Sequence, residues 1–373
     1  MKQKENKAYL TKNLLTYLGN KRKLLPEIAK EIEYVQKKLG QTKTVNVDLF
    51  SGSGSVSRLF KQYSNTLYAN DFEYYAKIIN QGFLYNADEL NLKQIEQERL
   101  RINKLLDKHQ YHSGIITANY APQDDQHIKL GERCFYSHDN ALRIDTIRNE
   151  IDKLTDPTMQ TLFLANLLVE ASIHVNTSGV FKGFYKDKNT GLGKFGGTNG
   201  NALTRILGKI ELQPICLSNF NCQVHTTQQD ANSFFKKIKL NADITYLDPP
   251  YNEHPYGSNY FMLNIIATNK LPTKLSKVSG IPGDWQHSDY NKAKAIKQTM
   301  TNLLNNINSK YIILSYNNEG LLSKEDLIAL LKQVGTIEHE QEIKYNTFRG
   351  SRNLAKRKLH TQEYLFTVKM NIK

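Results

Sequence analysis

Thr44–Phe50 is a short run rich in β-branched residues that stops at Ser51-Gly52-Ser53-Gly54 and gives way to a helical pattern. An apolar strand that turns on glycine directly into a helix is buried on both faces only in a parallel sheet covered by helices. A second strand is expected at Thr66–Ala69, closing on Asn70-Asp71, with a helix behind it to about Tyr85. Upstream, Leu24, Leu25, Ile28, Ile32, Val35 and Leu39 recur at helical spacing, and Pro26 suits a first turn. The alternation returns later. Cys222–Thr227, Ile244–Leu247 and Tyr311–Ser315 read as strands, with helices over Ala231–Ile238 and Leu321–Val334. The strands expected near Glu338–Thr347 and Glu363–Met370 form a long antiparallel hairpin. The fold class is therefore α/β: a Rossmann-like, mostly parallel sheet with a C-terminal antiparallel hairpin.

The middle of the chain breaks this rhythm. A charged helical stretch, Leu90–His109, leads into a polar region, and Met159–Ile173 has the composition of a buried helix. Gly179–Gly208 is rich in glycine, lysine and aromatics. The expected organisation is one α/β domain from residues 1–84 and 223–373, interrupted by a mainly helical module at 85–222. With 373 residues, 39% of them hydrophobic, the chain has material for a sizeable core. Cys134, Cys216 and Cys222 are too scattered for a disulfide framework or a zinc site, and the histidines form no ligand pattern. The start, MKQKENKAYL, lacks a signal peptide's apolar stretch, and no run is long enough to span a bilayer. A cytoplasmic protein of bacterial type follows as the expectation, with neither membrane nor metal among its partners.

Two constellations carry chemistry. In Asp48-Leu-Phe-Ser-Gly-Ser-Gly-Ser55, Gly52 and Gly54 allow a tight turn and close approach of backbone to a ligand. Asp71, about twenty residues on, is placed to accept hydrogen bonds from both hydroxyls of a ribose. The pair fits an adenosine-containing cofactor and leaves open whether that is a nicotinamide nucleotide or S-adenosylmethionine. No GKS or GKT follows the glycines, which excludes a P-loop.

The second constellation is Asp248-Pro249-Pro250-Tyr251, directly after the strand Ile244–Leu247. Two prolines fix the backbone and leave carbonyls without competing N–H groups. A carboxylate beside a proline carbonyl offers two acceptors to one planar NH₂ group, as the exocyclic amine of adenine requires. Tyr251 is placed to stack on a base that has left its duplex.

Here the sequence resembles the Dam-like N6-adenine DNA methyltransferases over about two-thirds of its length, in the α/β portions at both ends. Leu15-Thr-Tyr-Leu-Gly-Asn-Lys21 is similar to the family's N-terminal cofactor motif, with Tyr17 where many members have Trp and Asn20 where many have Gly. The resemblance implies the S-adenosylmethionine-dependent methyltransferase fold. It also implies that Tyr17 and Lys21 contact the methionine, that Asp48, Phe50, Gly52 and Gly54 belong to the cofactor loop, and that Asp71 is the ribose acid. Asp248, Pro249, Pro250 and Tyr251 match the catalytic motif without departure. Tyr256-Gly-Ser-Asn-Tyr260 resembles methyltransferases paired with type II restriction enzymes, implying a restriction endonuclease at the system level. Two readings of Asp230 stand: a partner for the cofactor's adenine amino group, or a helix N-cap. Phe348, with Tyr345 as rival, matches the place of an aromatic that sandwiches the flipped base; each is equally readable as a core aromatic.

Fifty Lys and Arg against 36 Asp and Glu give a formal charge of +14, which draws attention to polyanions. Lys182, Lys186, Lys188, Lys194 and Arg205 lie in the glycine-rich segment, interleaved with Phe181, Phe184, Tyr185 and Phe195. Arg349 and Arg352 lie in a tail run with no acid between Ile343 and Gln362. Both runs suit a grip on double-stranded DNA. Together these features predict methyl transfer from S-adenosylmethionine to adenine N6 in DNA. The rivals are N4-cytosine or RNA-adenine transfer, an inactive DNA-binding relative, and a nicotinamide-dependent oxidoreductase. C5-cytosine transfer is disfavoured, because no cysteine follows a proline.

Overall fold

A computed structural model describes residues 4–16, 19–197, 200–346 and 360–371, leaving aside the side chains of Tyr345, Asn346 and His360. Tyr17, Phe348, Arg349 and Arg352 lie outside the described residues, as does the side chain of Tyr345. The first half of the chain runs α1 (Lys7–Thr11), α2 (Leu25–Leu39), β1 (Thr44–Asp48), α3 (Ser55–Lys61), β2 (Ser64–Asp71) and α4 (Tyr74–Leu84). Five helices follow without a named strand: α5 (Leu92–Asp107), α6 (Ile115–Tyr120), α7 (His138–Lys153), α8 (Pro157–Ile173) and α9 (Leu203–Leu207). The chain then returns to the sheet through β3 (Gln223–Gln228), α10 (Ala231–Lys237), β4 (Ala242–Leu247), α11 (Tyr256–Asn259), α12 (Phe261–Thr268) and α13 (Ile296–Asn306). It ends with β5 (Ser309–Asn317), α14 (Lys324–Val334), β6 (Gly335–Asn346) and β7 (His360–Met370).

The seven strands lie in the order β3-β2-β1-β4-β5-β7-β6. The first five are parallel, while β7 runs antiparallel to both β5 and β6. In β5, Ile312 and Leu314 face a core shared with α10, α13 and α14, while Tyr311 and Ile313 face α2 and α3. This two-sided burial explains why Tyr311–Leu314 is continuously apolar rather than alternating. The chain moves outward from β1 through β2 to β3, then crosses back to β4 on the other side of β1. The crevice above the carboxyl ends of β1 and β4 is the topological switch point, where ligands of open α/β sheets bind.

The helical segment is not packed as a separate body. Its buried side chains form one cluster with Tyr75, Ile79 and Phe83 of α4 and with Phe261, Ile265 and Ile266 of α12. Gly82 permits that approach, because a Cβ there would meet the Ala165 side chain at 2.4 Å. Helix α7 had no counterpart among the sequence expectations. Its buried face mixes Ala141, Ile144, Ile147 and Ile151, at helical spacing, with the polar Asn140, Arg143, Asp145 and Glu150, which dilute the apolar stripe. Asp145 instead accepts from the backbone N–H groups of Gly114, Ile116 and Thr117 and thereby caps α6. At the other end, α14 begins at Lys324 rather than Leu321, because the Ser323 hydroxyl accepts from the Asp326 N–H at 3.1 Å.

Candidate active site

A cleft opens at the switch point. Segments after four consecutive sheet positions line it: Leu49–Ser53 after β1, Asp71–Glu73 ending β2, Gln229–Ala231 after β3, and Asp248 with Pro250 after β4. Gly19, Asn20 and Lys21 close one side, and Gln286, Ser288, Tyr290 and Asn291 another. Among its described lining residues the acids are Asp48, Asp71, Glu73, Asp230 and Asp248, and the only cation is Lys21.

The glycine loop and the β2 acid form one bonded unit. Gly52, with φ 49°, points its N–H at Asp71 Oδ2 (2.7 Å), and the Glu73 N–H donates to Asp71 Oδ1 (2.8 Å). Gly54 has φ 76°, and a Cβ there would lie 2.7 Å from Asn80 Oδ1. Asn80 cannot withdraw easily, since its amide donates to Ser51 Oγ, Gly52 O and Ala76 O. Asp48 is buried and accepts from Ser57 Oγ at 2.6 Å through Oδ2, while Oδ1 has no partner among the described residues. Burial pushes the Asp48 carboxyl up to about 7 and that of Asp71 up to about 6. Burial also raises Glu73 to about 7, and its Oε2 accepts from the Asn264 amide. Phe50 meets Tyr290 edge-on with ring centroids 5.2 Å apart.

Of the two readings of Asp230, the structure shows the helix N-cap. Its carboxylate caps α10 by accepting from the Ser233 N–H at 3.2 Å, and the residue also lines the cleft.

Asp248 stands at the end of β4, with its side chain 18% exposed toward the cleft. Lys21 Nζ lies 2.9 Å from Asp248 Oδ1 and 2.9 Å from Glu363 Oε1, and donates to Gly19 O at 3.1 Å. Burial pushes the Asp248 carboxyl up to about 6, against the pull of Lys21. Tyr251 sits beside this cluster, its ring centroid 5.6 Å from Lys21 Nζ, with its hydroxyl raised to about 12 by burial. Pro249 is buried and Pro250 half-buried, as a rigid turn out of a central strand requires. Glu363, Glu73 and Tyr290 escaped the sequence reading. Each is an ordinary residue in an ordinary pattern, and only the topology brings Glu73 and Tyr290 to the cleft and Glu363 to Lys21.

The basic segment divides into two kinds of residue. Lys186 and Lys188 are exposed on a small hairpin closed by the Lys186–Gly193 bridge, with Asp187 accepting from the N–H groups of Asn189 and Thr190 at its tip. Lys182 is exposed and Lys194 half-buried. Arg205 instead donates to the carbonyls of Ile173, Val175 and Thr177, satisfying the chain just beyond α8. Phe181 and Phe184 are buried core residues, which takes them away from any base. The segment nonetheless touches the catalytic side of the molecule: the Phe181 N–H donates to Asn259 O in α11, and Ser279 Oγ donates to Lys182 O.

Among the described residues no cluster of His, Cys, Asp or Glu could hold a metal ion, and no helix is long and apolar enough to cross a membrane. The strand order, together with a cleft lined by a glycine loop, strand-end acids, and Asp248 and Pro250 of the Asp-Pro-Pro-Tyr turn, defines a methyltransferase fold. The chain belongs to the D12 class N6 adenine-specific DNA methyltransferases, whose family model matches residues 17–330. It is similar to modification methylase StsI of Streptococcus sanguinis, with 32% identity across 95% of this chain and 52% of that protein. Type II methyltransferase M.CviAII of Paramecium bursaria Chlorella virus 1 is 30% identical across 87% of this chain and 90% of its own. For type II methyltransferase M.NlaIII of Neisseria lactamica the figures are 30%, 91% and 93%. The chain thus spans about half the length of StsI and nearly all of the other two.

Proposed function

We propose that the protein methylates the N6 amine of an adenine in double-stranded DNA, using S-adenosylmethionine, as the modification partner in a restriction system. The observation that carries this is the half-buried, lysine-held Asp248 at the end of β4, opening into the same cleft as the Gly52–Asp71 unit. The donor set suits the cofactor. An acid-rich lining with an unpartnered Asp48 Oδ1 favours a ligand carrying positive charge, and Asp71 is fixed for hydroxyl recognition. The relatives' names supply the modification role.

Asp48, Phe50, Gly52, Asp71, Asp230 and Lys21 would hold the cofactor, and the family resemblance adds Tyr17 to them. Bound there, S-adenosylmethionine supplies a methyl group on a cationic sulfur, which keeps the bonding electron pair when the methyl leaves. Asp248 and the Pro249 carbonyl accept from the two amine hydrogens of a flipped adenine and aim its nitrogen lone pair at that methyl. Tyr251 stacks on the base. Transfer would form the N–C bond at the expense of the S–C bond, and the amine so made cationic would shed one proton to solvent. Asp248 orients and accepts rather than acting as a strong base. Residues 85–222 serve as the target-recognition region, with Lys182, Lys186, Lys188 and Lys194, joined by Arg349 and Arg352, holding phosphates.

The test is incubation with labelled S-adenosylmethionine and either duplex DNA or RNA, followed by nucleoside identification by mass spectrometry. N6-methyldeoxyadenosine confined to DNA is expected. N4-methyldeoxycytidine, or methylation of RNA alone, would replace the substrate.

A further inference from the structure

The three N–H bonds of the Lys21 ammonium are all directed to acceptors: Asp248 Oδ1, Glu363 Oε1 and Gly19 O. Lys21 is therefore fixed, and its positive charge is divided between two carboxylates. Asp248 lines the cleft, and among the described residues only its Oδ1 is engaged, which leaves Oδ2 available to a ligand there. Glu363 is itself held from behind. Ser315 Oγ donates to its Oε1 at 2.8 Å and the Asn317 amide to its Oε2 at 3.3 Å, both from β5, where Asn317 is its register partner.

A buried ion cluster of this kind is a poor device for stability alone, since desolvation offsets much of the attraction. Its position is more telling. It ties the segment before α2, the end of β4 and the start of β7 together at the one carboxylate that opens into the cleft.

We propose that Glu363 is a positioning residue for the transfer step, sharing Lys21 so that Asp248 stays anchored through Oδ1 yet retains charge for the substrate amine at Oδ2. This rests on the methyl-transfer reading given above. Without Glu363 the whole ammonium charge falls on Asp248, anchoring it more tightly and making it a weaker acceptor. The other groups facing Asp248 are Asp48 from β1, Tyr246 from β4, Tyr251 after it and Tyr256 from α11. The three tyrosines are held neutral by burial, so the balance at Asp248 is set by Lys21, Glu363 and Asp48.

The experiment uses the full chain, once the wild type has been shown to methylate adenine. For the isosteric E363Q, kcat, its pH profile and the calorimetric Kd for S-adenosylmethionine are measured. We expect kcat to fall about tenfold, equivalent to ~1.4 kcal/mol of barrier. The acid limb should move to lower pH, with Kd within about twofold of wild type. S315A gives the opposite sign: removing a donor from Oε1 strengthens the pull of Glu363 on Lys21, so the acid limb moves to higher pH. An E363Q enzyme with wild-type kcat and an unmoved limb overturns the proposal, as does a fall in kcat matched by an equal loss of cofactor affinity. Should E363Q fail to fold, S315A decides by the direction of its limb, and no shift or a downward one counts against the proposal. A wild type that methylates no adenine overturns the functional reading itself, and that result is seen before any variant is made.

Discussion

The Gly52 N–H donates to Asp71 Oδ2 at 2.7 Å, so the turn leaving β1 and the acid ending β2 set each other's geometry. Their separation of about twenty residues in sequence is the length of one helix and one returning strand. Asp71 therefore has two places in the structure: it holds the loop and lines the cleft.

Replacing Asp71 by Ala removes both. Hydrogen bonds to a charged group contribute about 1.5–3 kcal/mol each, so cofactor affinity should fall by roughly one to two orders of magnitude. Calorimetric titration with S-adenosylmethionine checks this; an affinity within a factor of two of wild type would remove Asp71 from the binding site.

Proton release should accompany cofactor binding. Asp48, near 7, and Asp71, near 6, are both raised by burial in the free protein, so at pH 6.5 each is partly protonated. A cationic sulfur nearby favours the ionised forms, lowers both values and expels protons. Calorimetry in buffers of different ionisation enthalpy should show this release at pH 6.5 and less of it at pH 8.5. S-adenosylhomocysteine, whose sulfur is neutral, should release fewer protons at either pH. For the unliganded protein the sign is fixed by the same shifts. Because the folded values lie above the unfolded ones, these two acids favour folding at low pH, and that contribution is lost as pH rises through 6 and 7.

Lys21 is the keystone of a cluster that otherwise contains two carboxylates, with its side chain 5% exposed, as is that of Glu363. Substituting Lys21 by Met leaves Asp248 and Glu363 facing each other without a cation. Breaking a buried pair in this way costs about 3–5 kcal/mol. Urea unfolding at neutral pH should register that loss, and at pH 5, where protonation relieves the repulsion, the loss should shrink. A K21M protein as stable as wild type at both values would mean that the cluster is held by something else.

The basic residues separate by experiment. Lys182, Lys186 and Lys188 are exposed, and converting all three to Ala should weaken DNA binding without altering the melting temperature. Their loss should flatten the slope of log K against log salt by about 3, at roughly 0.9 per phosphate contact. R205A should do the reverse, lowering stability because three carbonyls just beyond α8 lose their donor. An unchanged salt slope in the triple variant would place the phosphate grip elsewhere.

The parts of the fold that sequence made legible are those governed by local rules. Tyr311–Leu314 betrays a central strand because both its faces are buried, and Pro26 together with Gly40 brackets α2 from either end. Asp248–Tyr251 is legible for the same reason, being a rigid turn with chemistry attached. Helix α7 carries Ala141, Ile144, Ile147 and Ile151 at helical spacing, but polar Asn140, Arg143, Asp145 and Glu150 share its buried face and blur the stripe, with Asp145 serving as a cap for α6. Glu363 stayed hidden because its role comes from long-range pairing: β7 must lie beside β5 before a carboxylate at its start meets a lysine near residue 21. Phe181 and Phe184, interleaved with the lysines of the segment expected to grip DNA, are buried and belong to the packing.

The most direct test of the account is the D248N variant, which keeps the size of the side chain and removes the charge that accepts from the amine. Single-turnover methyl transfer to duplex DNA is measured beside the calorimetric Kd for S-adenosylmethionine. The expected result is loss of transfer by about 10³-fold or more, in the range for removing a preorganised transition-state contact, with Kd changed by less than about threefold. Transfer within tenfold of wild type would contradict the assignment of Asp248, and with it the mechanism drawn from its place at the end of β4.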